Sequence, residues 1–238
     1  LSDPITEGTF KFMSVVHELG HAVGLSHSFS GSSSGATLPT SLDNIFYTVM
    51  SYTIDPSGND YFIDRWPDTL MLLDIQAIQY IYGANTSYNA GDTNYTFTGN
   101  EEYFETIWDG GGTDTIDYTS SNTGATIDLR EGAWSSLGQP IVFTNLGLTQ
   151  YTDQRTVWIA YDTEIENAQG SQANDTLYGN SLNNVLYGHW GADSVFGFGG
   201  DDSLIFSLDA AATLSFSTHA GTGETLDLTG KWTSSDTF

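Results

Sequence analysis

Helical spacing of apolar residues is confined to the front of the chain. Phe12, Val16, Leu19 and Val23 follow one another at intervals of four, three and four, which predicts one buried stripe on an amphipathic helix. Met71, Ile75, Ile78 and Tyr82 repeat that spacing after Pro67-Asp68, with Asp68 placed to cap the second helix and Gly83 to stop it. Beyond residue 86 the pattern changes to short β-like pieces between turn residues, such as Tyr95-Thr96-Phe97 and Thr115-Ile116-Asp117-Tyr118. From Gly170 a nine-residue unit recurs at Gly170, Gly179, Gly188 and Gly197. Its sixth place holds Asp175, Asn184, Asp193 and Asp202, and its eighth Leu177, Leu186, Val195 and Leu204. Each unit predicts a tight Gly/Asp turn and then a short strand whose eighth residue points inward, stacked as a β-solenoid. Short strands at Ala212-Thr213-Leu214-Ser215-Phe216 and Thr225-Leu226-Asp227-Leu228 extend it.

Composition narrows the classes open to such a chain. The 238 residues are enough for one large domain or two small ones with a real core. A net charge of -25 argues against nucleic acid and anionic membrane as partners and suits cations. No apolar run reaches membrane-spanning length, so no membrane anchoring is expected. With no cysteine, an extracellular life needs a staple other than disulfides, and bound metal is the obvious one.

The first helix carries the chemistry. His17, Glu18, His21, Gly24 and His27 fill every fixed place of the pattern HExxHxxGxxH. On a helix, His17 and His21 lie about 6 Å apart along the axis and about 40° apart around it, so both imidazoles leave one face. Gly24 can enter a left-handed turn without steric cost and swing the chain back, so that His27 reaches the same point. Three neutral nitrogens around an open position describe a catalytic zinc site, with Glu18 as general base for the metal's water. The plainer reading is an amphipathic helix with surface histidines. Five fixed residues arise by chance in on the order of one in 10⁵ chains of this length, which favours zinc.

This pattern resembles that of the metzincin metallopeptidases, and Val49-Met50-Ser51-Tyr52 resembles their methionine turn, with Met50 beneath the zinc. The Met-Ser-Tyr form is similar to the serralysin branch of secreted bacterial proteases. By that resemblance Tyr52 is a switchable zinc ligand and an oxyanion stabiliser. The run from Leu73 to Asn85 resembles the last helix of the serralysin catalytic domain. The expected division is residues 1–84, the C-terminal part of a metzincin catalytic domain with the zinc site, and 85–238, a calcium-binding β-roll or β-sandwich with nonapeptide repeats at 170–205. The fold class expected is an α+β partial catalytic domain followed by an all-β parallel roll. The zinc helix follows a polar lead of nine residues, where the family places a twisted sheet and two helices. That departure suggests a fragment or processed chain whose partner is an N-terminal segment of the same protease, without which cleavage is expected to be poor. Ser28 stands where the family often has Pro.

The loop Trp108 to Thr113 combines three glycines with Asp109, and Asp114 follows, oxygen donors of the kind calcium prefers. Resemblance to the serralysin domain junction makes Asn89, Gly91 and Thr93 carbonyl ligands facing Asp109, Gly111, Gly112 and Asp114, with Glu164 and Glu166 completing the site. The repeats approximate the calcium-binding nonapeptide GGxGxDxUx of RTX proteins. If two repeats make one turn, Asp175 stacks on Asp193 and Asn184 on Asp202, and the second side, one charge poorer, binds calcium more weakly. Asp55 to Asp60 is expected to be a plain turn, and His189 and His219 to face solvent.

The function these readings imply is a secreted, extracellular zinc-dependent endopeptidase that hydrolyses protein or peptide substrates and is stabilised by calcium. Its rivals are a non-catalytic calcium-stabilised RTX scaffold or secretion module with a vestigial zinc helix, and another zinc hydrolase of metzincin type.

Overall fold

The structure, a computed structural model, describes residues 5–29, 37–54, 61–208, 215–218 and 225–230. Asp55 to Asp60 and His219 lie outside these residues, as does the start of the strand expected at Ala212.

Among the described residues the helices are α1 (Phe10–Ala22) and α2 (Leu72–Tyr82). The strands build a parallel β-roll. One of its sheets has six strands in the order β16 (Thr225–Gly230), β14 (Ser203–Leu208), β12 (Val185–Tyr187), β10 (Asn167–Gln169), β4 (Thr115–Asp117) and β2 (Asn94–Thr96). Facing it are four strands, β15 (Ser215–Thr218), β13 (Ser194–Phe198), β11 (Thr176–Tyr178) and β5 (Thr126–Asp128). Leu186 pairs with Leu204, and Leu177 with Val195, so two nonapeptides make one turn.

The eighth-place residues Leu177, Leu186, Val195 and Leu204 are all buried in one core with Ile116, Ile127 and Ala168. First-place glycine has a steric reason. A Cβ on Gly170 would lie 2.5 Å from Asp175 Oδ2 and 2.9 Å from the Gly188 carbonyl of the next turn. Ile116 and Ile127 occupy the same inward row before the nonapeptides begin, so the roll starts earlier than the repeat. Between β5 and β10 the chain leaves the roll. It forms β6 (Trp134–Ser135), β7 (Ile141–Asn145), β8 (Gln150–Asp153) and β9 (Val157–Ile159), and β9 pairs with both β6 and β3 (Glu105–Ile107).

This excursion completes the core around the histidine helix. β7 pairs antiparallel with β1 (Tyr61–Ile63). Phe104, Ile141, Phe143 and Trp158 share a buried cluster with Met13, Ile45, Phe46, Val49, Met50, Met71 and Leu72. Arg155 lies over the Phe46 ring, 4.3 Å from its centroid.

Two expectations for the helices need correction. On α1 the buried residues are Met13, His17 and Gly20, whereas Leu19 is 59% and Val23 36% exposed. Val16 does pack against the buried cluster, and Gly20 lies over Met50, where a Cβ would be 2.6 Å from the sulfur. On α2, Asp68 is not the cap. It takes the Gly8 N–H and pairs with Arg65 at 2.5 Å, and the helix begins at Leu72, where Asp74 accepts the Met71 N–H at 3.0 Å. Tyr82 is exposed, its hydroxyl donating to the Val23 carbonyl at 3.0 Å.

Candidate metal centre

Thr9 opens α1, its hydroxyl accepting the Phe12 N–H at 3.3 Å. At the other end Gly24, at φ +100°, lets the Leu25 N–H reach the Gly20 carbonyl at 2.9 Å and its own N–H reach His21 at 3.0 Å. This left-handed termination reverses the chain and returns His27 to the helix.

The three imidazoles converge. One nitrogen from each of His17, His21 and His27 lies within 4.8 Å of the other two. His17 Nδ1 is 2.7 Å from the Val49 carbonyl and His21 Nδ1 is 2.9 Å from the Leu25 carbonyl. A carbonyl only accepts, so both Nδ1 atoms carry the proton and both Nε2 atoms present lone pairs. His21 Nε2 lies 3.1 Å from His27 Nε2, which the Tyr52 hydroxyl approaches at 2.9 Å. Burial, and then the neighbouring His21 and His17, hold His27 below the usual imidazole pKa, which keeps its lone pair available. Convergent neutral nitrogens with oriented outer protons fit a tetrahedral zinc ion with one position open.

The floor beneath them is the turn at Thr48 to Ser51. Asp74 ties it down: its carboxylate accepts from Thr48 Oγ1 at 2.5 Å, Val49 N at 2.8 Å and Met71 N at 3.0 Å. Asp74 is 2% exposed, and burial raises its pKa to about 6. Sequence reasoning missed this residue. Its signal was a carboxylate three places after Met71, where a side chain reaches back to a helix start. Ser28 also has a definite partner, its hydroxyl donating to Asp43 at 2.5 Å. Glu18 is exposed and lines, with Met13, His17, Ile45, Tyr52, Ile54 and Trp66, a largely apolar cavity of about 420 Å³ next to the histidines.

Residues 71–197, just over half of the chain, match the family model described as Peptidase M10 serralysin C terminal. The chain belongs to the serralysin family. Residues 2–73 match a second model, the reprolysin-like metallo-peptidase family M12B. The chain is similar to a protein named serralysin from Proteus mirabilis, 35% identical over 191 residues, covering 73% of this chain and 36% of that one. It is 32% identical over 188 residues to metallopeptidase AprA of Pseudomonas marginalis, covering 70% of this chain and 36% of the relative. Serralysin B of Dickeya chrysanthemi is 35% identical over 188 residues, with 69% and 35% covered. The chain thus spans little more than a third of the length of these relatives.

The second group of candidate residues lies where the serralysin roll begins. Asn89 has φ +48°, and its amide donates to the Tyr95 hydroxyl at 3.0 Å. That hydroxyl donates to Asp109 at 2.6 Å, and Asp109 also accepts the Gly111 N–H at 2.8 Å. Thr93 N–H donates to Asp114 Oδ1 at 2.7 Å, and Gly112 lies against the Gly91 carbonyl. Glu166 accepts the Asp114 N–H at 2.7 Å. Asp114 is 0% exposed, yet its Oδ2 has no hydrogen-bond partner. A buried carboxylate oxygen with nothing to accept from fits a cation beside it, and burial raises the Asp114 pKa to about 6. Glu164 is exposed on a polar cavity of about 410 Å³ that Asp109 and Gly111 of the same group also line, together with Glu131 and Asp162. Sequence reasoning did not single out Glu131 or Asp162, which flank it as ordinary surface acids.

In the nonapeptides Asp175, Asn184, Asp193 and Asp202 are all buried, two on each side of the roll. His189 faces solvent only in part. It is half-buried, stacked 3.6 Å from the Tyr187 ring, because its left-handed backbone at φ +63° folds the imidazole against the roll.

Proposed function

We propose that this chain supplies the zinc-binding part of a secreted bacterial endopeptidase that cleaves extracellular protein, with calcium in the β-roll as its staple. The observation that carries the reading is the convergence of His17, His21 and His27 with Glu18 and Tyr52 beside them. His17, His21 and His27, with Tyr52 as a switchable further ligand, would hold a zinc ion, which would supply Lewis-acid polarisation of the peptide carbonyl and of the attacking water. Glu18 takes a proton from the attacking water on a carboxylate oxygen and passes it to the nitrogen of the leaving amine. Tyr52 is 66% exposed, and its hydroxyl, 2.9 Å from His27 Nε2, would swing to donate to the carbonyl oxygen as negative charge develops there. The apolar cavity beside Glu18 suits a bulky apolar side chain of the substrate. Met50 supports the cluster from below through its contact with Gly20. In the roll, calcium between stacked acidic loops offsets the repulsion of carboxylates in a chain of net charge -25. Asn89, Gly91, Thr93, Asp109, Gly111, Gly112, Asp114, Glu164 and Glu166 are the ligands proposed for the junction, and Asp175, Asp193 and Asp202 for the repeats.

The test is Glu18→Ala in the protein that carries this chain. Zinc content is expected to stay at one per molecule while turnover of an unfolded protein substrate falls by about 10²- to 10⁴-fold. Tyr52→Phe loses less, since it removes one polarising hydroxyl and leaves the proton shuttle. Parent-rate cleavage by Glu18→Ala would overturn the mechanism. Zinc without any hydrolysis in the parent protein would point to the non-catalytic scaffold.

A further inference from the structure

On one side of the roll the sixth-place side chains act as acceptors. Asp175 Oδ1 takes the Ala125 N–H of the preceding turn at 2.7 Å, and Oδ2 takes the Ser171 N–H at 2.6 Å. Asp193 Oδ1 takes the Asp175 N–H at 2.9 Å. The Ser171 hydroxyl also donates to Asp175, 3.0 and 3.1 Å from its two oxygens, yet a carboxylate keeps its charge and further lone pairs beside such bonds and turns no hydrogen toward the loops, which is the donor chemistry calcium requires.

The other side is wired differently at Asn184. Its Oδ1 accepts the Asn180 N–H at 2.9 Å, and this fixes the orientation of the amide, because a backbone N–H meets only an acceptor. Asn184 Nδ2 is then turned to the preceding strand. It donates to the Glu166 carbonyl at 2.9 Å and to Asn180 Oδ1 at 3.0 Å. Asn180 Nδ2 in turn donates to the Ile165 carbonyl at 2.8 Å and the Leu129 carbonyl at 3.2 Å. Four oxygens at this level, three backbone carbonyls and one side-chain amide, therefore each receive an N–H from within the protein. Asn184 is 1% exposed, so water does not compete for its bonds, while Asn180 is partly buried at the edge of the polar cavity. Second- and fourth-place glycines, which would bring bare carbonyls together, are here Asn180 and Leu182. The donor set does not fit calcium: an ion at this level would meet amide hydrogens where it needs oxygen.

We propose that the level formed by the Leu129, Ile165 and Glu166 carbonyls and residues 180–184 is closed by the Asn180 and Asn184 amides in place of calcium, the Glu164 and Glu166 carboxylates belonging to the junction site. The roll then holds this level without metal, while the side carrying Asp175 and Asp193 depends on it. The inference rests on the calcium reading of the roll. It makes this one level differ in kind, rather than in affinity, from the levels of the roll that carry aspartate.

Asn184→Asp tests it on the full chain. The variant sets a carboxylate oxygen against the Glu166 carbonyl and Asn180 Oδ1 with no proton between them, an arrangement that a divalent cation relieves. Calcium bound at equilibrium dialysis is expected to rise by one ion per chain over the parent. In chelator the melting temperature should fall by about 5 °C or more below the parent's and recover in millimolar calcium. Should the variant fail to fold in chelator, recovery of its circular dichroism on adding calcium reads the same gain. Asn184→Ala is expected to leave the bound calcium unchanged. Loss of one calcium in Asn184→Ala, or an Asn184→Asp protein that matches the parent in both media, would overturn the proposal. If the parent binds no calcium at all, the calcium reading of the roll fails, and the gain or absence of binding in Asn184→Asp still decides this one.

Discussion

Asp74 acts on the histidines at one remove. Its carboxylate holds the Val49 N–H, and the carbonyl of the same residue takes the proton of His17 Nδ1. The imidazole orientation is therefore set by a buried acid on a different helix, through the backbone of a single residue, Val49. Removing that acid strands three donors, from Thr48, Val49 and Met71. Asp74→Ala is expected to destabilise the protein by roughly 2–5 kcal/mol, since each unsatisfied buried donor costs about 1–3 kcal/mol before relaxation. It should also weaken zinc retention against a competing chelator by about 10-fold or more, as losing an orienting partner does. Asp74→Asn, which keeps one acceptor for the backbone, should recover part of both losses. A variant that retained zinc as the parent does would show that Asp74 serves stability alone.

At the scale of elements, the helix and the roll are held by opposite devices. α1 has a thin buried face, Met13, His17 and Gly20, and its histidines are fixed by carbonyls of the neighbouring turns. The roll is held by rows of identical apolar places, Ala168, Leu186 and Leu204 on one sheet and Ile127, Leu177 and Val195 on the other. In such a stack each level leans on its neighbours. Leu186→Ala should destabilise by about 2–5 kcal/mol, the usual effect of emptying a packed leucine site. The loss should appear first as faster hydrogen exchange at residues 203–205, while amides of α1 are little changed. Uniform loss of protection over both regions would mean that the helix and roll unfold as one unit.

Over the whole molecule, five cationic side chains face thirty acidic ones. Among the described residues Arg65, Arg130 and Arg155 each pair with an aspartate two or three positions away, at 2.5, 2.5 and 2.6 Å. Glu105 is left with Asp68 and Glu7 as acidic neighbours and only a share of Arg65. Burial first, and then Asp68, raise its pKa to about 7. The folded state therefore holds this proton more tightly than the unfolded state. On that account stability falls as pH rises from about 4.5 to about 7, and is flat above. Glu105→Gln has no such proton to lose. In urea melts it should match the parent near pH 4.5 and exceed it at pH 8 by on the order of 1–3 kcal/mol. A variant less stable than the parent at pH 8 would show that the Arg65 contact outweighs burial.

The sequence by itself determined what repeats and what is locally encoded. Gly170, Gly179, Gly188 and Gly197, with apolar residues seven places after each, could only stack, because a Cβ at the first place collides with the sixth and the eighth has nowhere to go but inward. His17, His21 and Gly24 were legible because helix geometry and a left-handed turn are properties of a dozen consecutive residues. Tertiary structure decided the rest. On α1 the burial of Gly20 depends on Met50, a residue outside the helix, and of the predicted stripe Val16 meets the core while Leu19 and Val23 are exposed. The core of the zinc-binding part needed Phe104, Ile141, Phe143 and Trp158, distant in sequence and brought back by the pairing of β1 with β7. Asn184 read as a weakened calcium position until the partners of its amide and of the Asn180 amide, the carbonyls of Leu129, Ile165 and Glu166, were in place. A side chain's donors and acceptors are fixed by its identity, but what they meet is fixed only by the fold.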